Sequence, residues 1–101
     1  MYVLVLFKMG SGAETPELSR QHEAYIDHLI RTNQVLLGGA WGRAAGPFHA
    51  AYLLRCTSLD AAAAIASSDP YFRDGVWQPE IVEWDLVGIN PGAIEPDLVS
   101  R

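Results

Sequence analysis

Residues 58–75 have the sequence SLDAAAAIASSDPYFRDG, and this stretch decides the fold prediction. Ser58 is a favoured N-cap residue, and the alanine-rich run after it predicts a helix over residues 59–67. Asp69 followed by Pro70 then predicts a second, short helical turn, because aspartate caps helices well and proline suits the first helical position. The stretch therefore predicts a helix that ends in a sharp, capped turn.

A β-strand is predicted on each side of this helix. Residues 49–56 (HAAYLLRC) form the strand before it, and residues 77–87 form the strand after it, where apolar residues alternate with acidic ones. Pro79 lies in the later strand and cannot donate a hydrogen bond to a neighbour, so we expect that strand at an edge of the sheet.

The first half of the chain predicts a similar unit. Residues 2–9 (YVLVLFKM) are nearly all apolar, which is typical of a central strand covered on both faces. Thr15 and Pro16 begin a helix whose inward stripe includes His22 at helical spacing. Residues 35–41 predict the next strand, and a loop is expected at 42–47.

The resulting order, βαββαβ, predicts an α+β ferredoxin-like fold. Its four-stranded antiparallel sheet would carry two helices on one face. The start of the first helix would then lie at the same end of the domain as the finish of the second, so His22 and Asp69 should meet at one corner. We assign residues 1–87 to this domain and residues 88–101 to an irregular C-terminal tail.

Composition limits the class of partner. Half of the residues are hydrophobic, which is a high fraction for 101 residues, so we expect an oligomer that buries the excess in a subunit contact. The net charge of −5 and the absence of a basic run argue against nucleic acid or an anionic membrane as a partner. The start of the chain does not resemble a signal or membrane segment, and Cys56 is the only cysteine, so a cytoplasmic location is expected.

His22 and Asp69 are the candidate catalytic residues. A carboxylate bound to one imidazole nitrogen fixes the tautomer and leaves the other nitrogen to accept a proton from a substrate. His22 could instead be a core histidine bonded to a backbone carbonyl. Asp69 could be only a helix cap, or it could cap the helix and orient His22 together.

Three further residues are candidates for binding a small-molecule substrate: Tyr71 as a pocket wall, Trp41 as a stacking surface and Arg43 as an anion contact. The other histidines lack metal-ligand spacing relative to His22, so no metal site is expected. Motifs for phosphate, dinucleotide or redox cofactors are also missing from the sequence, and we expect chemistry without a cofactor.

The ordered set of motifs resembles the YciI-like (YCII-related) family of small α/β proteins. The matching pieces are His22, the run Val35-Leu36-Leu37-Gly38-Gly39, and Asp69-Pro70-Tyr71 with Gly75 after it. The resemblance implies a ferredoxin-like fold of the dimeric α/β-barrel type, which forms a homodimer through its sheet faces and carries a His/Asp site. One branch of that family removes chloride from a chlorinated hydroxyquinol.

We therefore expect an enzyme that uses a His/Asp pair for acid/base chemistry, of the lyase, dehydrochlorinase-like or isomerase type, on a small cyclic or aromatic substrate. One alternative is another dimeric α/β-barrel enzyme, muconolactone-isomerase-like or a cofactor-free monooxygenase, with its chemistry inside the barrel near Tyr52 or Trp84. The other alternative is a non-catalytic ligand-binding or interaction domain.

Overall fold

The computed structural model describes residues 1–99, apart from the side chains of residues 44 and 45. In chain order the elements are β1 (Tyr2–Met9), α1 (Pro16–Arg31), β2 (Val35–Ala45), β3 (Phe48–Arg55), α2 (Leu59–Ser67), α3 (Pro70–Arg73), β4 (Trp77–Glu83), a 3₁₀ turn (Pro91–Ala93) and α4 (Pro96–Val99). Residues 100 and 101, the end of the predicted tail, lie outside the described residues. The boundary of the domain at residue 87 stays a prediction.

The strands form one antiparallel sheet in the order β2-β3-β1-β4. This is the ferredoxin-like βαββαβ arrangement, and the α+β prediction is confirmed. As Pro79 predicts, β4 is at an edge. One face of β1, formed by Val3, Val5 and Phe7, is buried in the core beneath α1 and α2. Burial of these side chains is what holds the two helices on that face.

The other face of the sheet carries apolar side chains that no long helix covers. Leu4 and Leu6 alternate along β1 with the buried residues, so their side chains point away from the helices. Both are half-buried. Leu37 of β2 and Val82 of β4 are exposed on the same side. The prediction that β1 is covered on both faces is therefore correct for only one face within a single chain.

Each helix of the core begins at the polar residue that the sequence predicts. The hydroxyl of Thr15 accepts a hydrogen bond from the backbone N–H of Leu18 at 3.1 Å, and the hydroxyl of Ser58 accepts one from Ala61 at 3.0 Å. These bonds satisfy amide groups that have no partner inside the helix. Within residues 1–99, none of the helices is both long and apolar enough to pass through a membrane.

Two predicted strand limits are wrong. The predicted loop at 42–47 is shorter, because β2 continues to Ala45 and turns at Gly46, whose φ of +65° suits glycine. The last strand ends at Glu83 rather than at residue 87. Its partner β1 begins at Tyr2, whose carbonyl accepts a final hydrogen bond from Trp84, so the ladder runs out of partner residues.

Candidate active site

His22 and Asp69 are in direct contact at one end of the domain. Nδ1 of His22 lies 2.8 Å from Oδ1 and 2.9 Å from Oδ2 of Asp69. The two elements that carry them meet here, because α1 presents His22 in its second turn and Asp69 directly follows α2. The predicted meeting of these residues is therefore present in the structure.

The carboxylate of Asp69 has two structural tasks. Its Oδ1 also accepts a hydrogen bond from the backbone N–H of Tyr71 at 3.0 Å, which caps α3. Its side chain is fully buried (0% exposed), whereas His22 is 17% exposed. A buried carboxylate needs hydrogen-bond donors, so we assign to His22 the tautomer that carries its proton on Nδ1, and this N–H donates a hydrogen bond to Asp69. Nε2 is then the nitrogen left to accept a proton.

A cleft of about 290 Å³ lies between α1 and the sheet, beside His22. This volume suits a small ring compound and falls at the lower end of ligand pockets in general. Most of its wall is aliphatic or formed by glycine and alanine. The lining residues are Phe7, His22, Glu23, Ile26, Ile30, Val35, Gly38, Gly39, Ala40, Ala50, Ala51 and Tyr52.

The charged groups at the cleft are negative. Glu23 is a carboxylate on its wall, next to His22 in the sequence, and the lining residues include no lysine or arginine. Asp69 adds a second carboxylate behind the imidazole. A negative ligand would be repelled by both groups, so the cleft favours an uncharged or cationic compound.

Tyr71 packs against the imidazole. Its ring is stacked on that of His22, with ring centres 4.1 Å apart and planes inclined by 18°. Its hydroxyl donates to Oε1 of Glu14 at 2.5 Å and lies 2.7 Å from the hydroxyl of Ser19. Tyr71 is thus placed beside His22, as a wall residue would be, although it is not itself among the residues that line the cleft.

Tyr52 is the second tyrosine near the pair, and it lies on the helix-covered face of the sheet. The β3 register pairs it with Val5 and Gly38, and only 2% of it is exposed. The alternative that placed Tyr52 inside a barrel, on the open face, is therefore wrong for this residue. Its hydroxyl is buried and has no hydrogen-bond partner among the described residues. Burial, and then the nearby Asp69 carboxylate, raise the pKa of Tyr52.

Trp41 and Arg43 are not brought to the cleft. Both are exposed on the part of β2 that continues beyond Ala40, where the cleft ends. The strand runs past the point at which the sequence predicts a loop, and it carries these side chains away from His22. Their role in binding substrate stays a prediction.

The sequence pattern did not reveal Glu14, Ser19 or Glu23 as parts of the site. Glu14 lies just before the N-cap of α1, where an acidic residue usually faces solvent. The sequence pattern placed Glu23 opposite the apolar stripe, which is wrong, because Glu23 lines the cleft with Ile26 and Ile30, three and seven positions further along α1. Among residues 1–99, no cluster of three histidine, cysteine, aspartate or glutamate side chains could hold a metal ion.

Comparison with known proteins adds two findings. The sequence model of the YCII-related domain matches residues 1–85. The fold is similar to a solved 5-chloro-2-hydroxyhydroquinone dehydrochlorinase from Burkholderia phenoliruptrix AC1100 in complex with 2,5-dihydroxybenzoquinone. That match has a TM-score of 0.59 and 18% sequence identity, and it covers 84% of this chain and 94% of that one. No protein in the search of curated proteins matches the sequence.

The family match includes every element of the sheet, both long helices and the His22–Asp69 contact. It spans residues 1–85 of 101, and the structural likeness shows the same fold. On these grounds the chain belongs to the YCII-related domain family.

Proposed function

We propose that the protein is an enzyme that moves protons on a small, uncharged cyclic or aromatic compound, in a lyase or isomerase reaction. His22 is the acid/base and Asp69 orients it. The observation that carries this proposal is the contact of Nδ1 of His22 with a fully buried carboxylate, at 2.8 Å, on the wall of a cleft.

The proposed chemistry follows from the tautomer. With its Nδ1 proton held by Asp69, His22 takes a proton at Nε2 from a C–H or O–H bond of the bound compound. The electron pair released forms a new double bond, and either a leaving group departs with its own bonding pair or the proton returns at another atom. The buried carboxylate stabilises the imidazolium formed between these steps. No activated water is required.

The cleft limits the substrate. Its volume of about 290 Å³ accommodates one small ring, and its aliphatic wall suits an apolar ring face. The carboxylate of Glu23 can accept a hydrogen bond from a ring hydroxyl. The same group disfavours a substrate that carries a carboxylate or a phosphate.

The reaction of the solved dehydrochlorinase belongs to this class, and this supports the proposal. At 18% sequence identity, the likeness between the two chains shows a common fold only. Elimination of hydrogen chloride from a chlorinated hydroquinone needs one base and no redox partner. That requirement agrees with a site whose proton-accepting group is a single imidazole nitrogen. Chlorinated and unchlorinated hydroxyquinols are accordingly the first compounds to test.

A direct test is to incubate the protein in D₂O with these compounds and with small cyclic ketones, and to follow chloride release and deuterium incorporation. His22→Gln should lower the rate by about 10²–10⁴-fold. His28→Gln is the matched control, because His28 is exposed on the same helix and does not line the cleft. Turnover that survives in His22→Gln would rule out the proposed base.

Ligand binding without turnover is the second candidate function. The observation that favours it is the capping bond from the backbone N–H of Tyr71 to Asp69. This bond by itself is a structural reason for a buried carboxylate at this position. Under this function the compounds would bind in the cleft, no chloride or deuterium would be exchanged, and His22→Gln would change affinity only.

We also propose that a second copy of the chain covers the open face of the sheet, as a homodimer. Leu37 and Val82 are exposed there, and Leu4 and Leu6 are only half-buried. A partner of the same sequence presents the same apolar face, and pairing would remove it from water.

The proposed location is the cytoplasm. Cys56 is the only cysteine of the sequence, so no disulfide can form within the chain, and its thiol donates a hydrogen bond to the carbonyl of Ser58 at 3.5 Å. Fractionation of cells that produce the tagged protein would test the location.

A further inference from the structure

Tyr71 touches both members of the His22–Asp69 pair. Its backbone N–H donates to Oδ1 of Asp69 at 3.0 Å, and its ring covers one face of the imidazole at a centre distance of 4.1 Å. An aromatic ring in stacked contact restricts rotation of its neighbour and excludes water from that face. The orientation of His22 therefore depends on where the ring of Tyr71 is held.

The far end of Tyr71 is anchored by a carboxylate. Its hydroxyl donates to Oε1 of Glu14 at 2.5 Å, and the hydroxyl of Ser19 lies 2.7 Å from it and 3.2 Å from the same oxygen of Glu14. Burial, and then the hydrogen bond to Glu14, raise the pKa of Tyr71, so the phenol keeps the proton that it donates. A hydrogen bond to an ionised acceptor is stronger than one between neutral groups.

The segment that carries Glu14 is itself tied to the turn after α3. The backbone N–H of Gly10 donates to the carbonyl of Val76 at 2.9 Å, and that of Gly12 donates to Gly75 at 2.8 Å. The backbones approach so closely that a side chain would not fit, since a Cβ at Gly12 would lie 2.7 Å from the carbonyl oxygen of Asp74. The backbone just before Glu14 is therefore held in place against the turn after α3, and Glu14 contacts Tyr71 from there.

We propose that Glu14 and Ser19 are positioning residues for His22, and that they act through Tyr71. This inference rests on the proposed role of His22 as the acid/base. With its hydroxyl fixed, the ring of Tyr71 keeps the imidazole in the plane in which Nδ1 faces Asp69 and Nε2 remains available to a ligand.

The test is an NMR measurement on protein labelled with ¹⁵N, with Glu14→Ala, Glu14→Gln and Tyr71→Phe compared with the parent chain. Glu14→Ala and Tyr71→Phe should speed the exchange of the Nδ1 proton of His22 with water by about tenfold, the factor expected for one lost charge-assisted hydrogen bond. Glu14→Gln retains an oxygen acceptor without the charge and should restore part of the protection, because the neutral hydrogen bond is the weaker one.

Glu17→Ala is the matched control. Glu17 is an exposed carboxylate in the first turn of α1 that bonds Arg20 and Gln21 instead of Tyr71. Exchange at His22 should be unchanged in this variant. Because Glu14 is also exposed, its substitution leaves the core intact and carries the test even if Tyr71→Phe does not fold.

The readout does not depend on turnover, so failure of the proposed reaction and failure of this inference are separate results. Unchanged Nδ1 exchange and ring-proton shifts in Glu14→Ala would overturn the inference, whatever happens to the melting temperature. If a substrate is turned over, Glu14→Ala should lower kcat and leave KM unchanged, since Glu14 does not line the cleft. A rise in KM alone would also overturn it.

Discussion

Nδ1 of His22 lies within 2.9 Å of both carboxylate oxygens of Asp69, although the two residues are 47 positions apart. The contact exists because α1 begins at the end of the domain where α2 finishes. Asp69 is fully buried, so the pair is removed from the solvent screening that weakens surface charges. Its strength can be measured independently of any substrate.

Removing His22 should destabilise the fold, because a buried carboxylate then loses its principal donor. We expect His22→Ala to lower the free energy of unfolding by about 3 kcal/mol. In a double-mutant cycle with Asp69→Ala, the coupling energy should be about 1–3 kcal/mol. Urea denaturation of the four proteins gives both values.

Lys8 and Glu80 provide the control cycle. Their charges are 3.8 Å apart, and both side chains are about half exposed, at 47% and 48%. An exposed pair of this kind should couple by less than about 1 kcal/mol. If the His22–Asp69 coupling were no larger than this, the contact would be incidental to the fold.

The sequence predicts this contact well, because it follows from topology. Helical periodicity places His22 on the inward stripe, the capping pattern places Asp69 after α2, and the βαββαβ order brings the two ends together. None of these steps needs the detail of side-chain packing.

Other features depend on contacts that no local pattern encodes. The bond from Tyr71 to Glu14 joins residues 57 positions apart, and one of them lies in an irregular segment. The face on which Tyr52 lies was predicted wrongly in one alternative, because β3 carries apolar residues on both faces and alternation does not identify the inner one. The end of β4 depends on where its partner β1 begins.

Gly10 should not tolerate a side chain. A Cβ at this position would overlap the carbonyl oxygen of Gly75, which is backbone and cannot move alone. We expect Gly10→Ala to cost about 1–3 kcal/mol of unfolding free energy. Gly42→Ala is the control, since nothing lies within 4 Å of a Cβ built there. Equal melting temperatures for the two variants would contradict the tight approach of these segments.

The homodimer prediction can be tested at Leu37, which is 58% exposed on the open face of the sheet. A lysine there would place a charge in the proposed contact, so Leu37→Lys should shift sedimentation from dimer to monomer. Leu59→Lys should not, because Leu59 is similarly exposed (46%) but begins α2, on the helical side. A parent protein that is monomeric at micromolar concentration would refute the proposal.

The charge of the cleft predicts selectivity among ligands. Hydroquinone should bind more tightly than its carboxylated analogue by several-fold, roughly the effect of one partly screened like charge near Glu23. In Glu23→Gln the difference should shrink, and in Glu17→Gln it should persist. Inhibition or isothermal titration would show this. If the ratio of the two affinities were the same in Glu23→Gln and Glu17→Gln, Glu23 would not face the ligand.

Tyr52, which is buried, and Tyr25, which is partly buried, should respond differently to loss of their hydroxyl groups. The hydroxyl of Tyr52 is without a hydrogen-bond partner in residues 1–99, so Tyr52→Phe removes an unsatisfied group. At neutral pH it should leave the free energy of unfolding unchanged or raise it by up to about 1 kcal/mol. Tyr25 donates to the carbonyl of Ile65 at 2.7 Å, and Tyr25→Phe should cost about 1 kcal/mol.

The same tyrosines predict how the stability of the fold changes at alkaline pH. Burial raises the pKa of Tyr52 and of Tyr25, so both stay protonated in the folded chain after the unfolded chain has begun to lose these protons, near pH 10. The folded state then binds more protons than the unfolded state, and stability must fall as the pH rises above that value. Denaturation between pH 8 and about 11 should show a shallower loss for Tyr52→Phe than for the parent. Identical slopes would mean that Tyr52 titrates freely and is not buried as described.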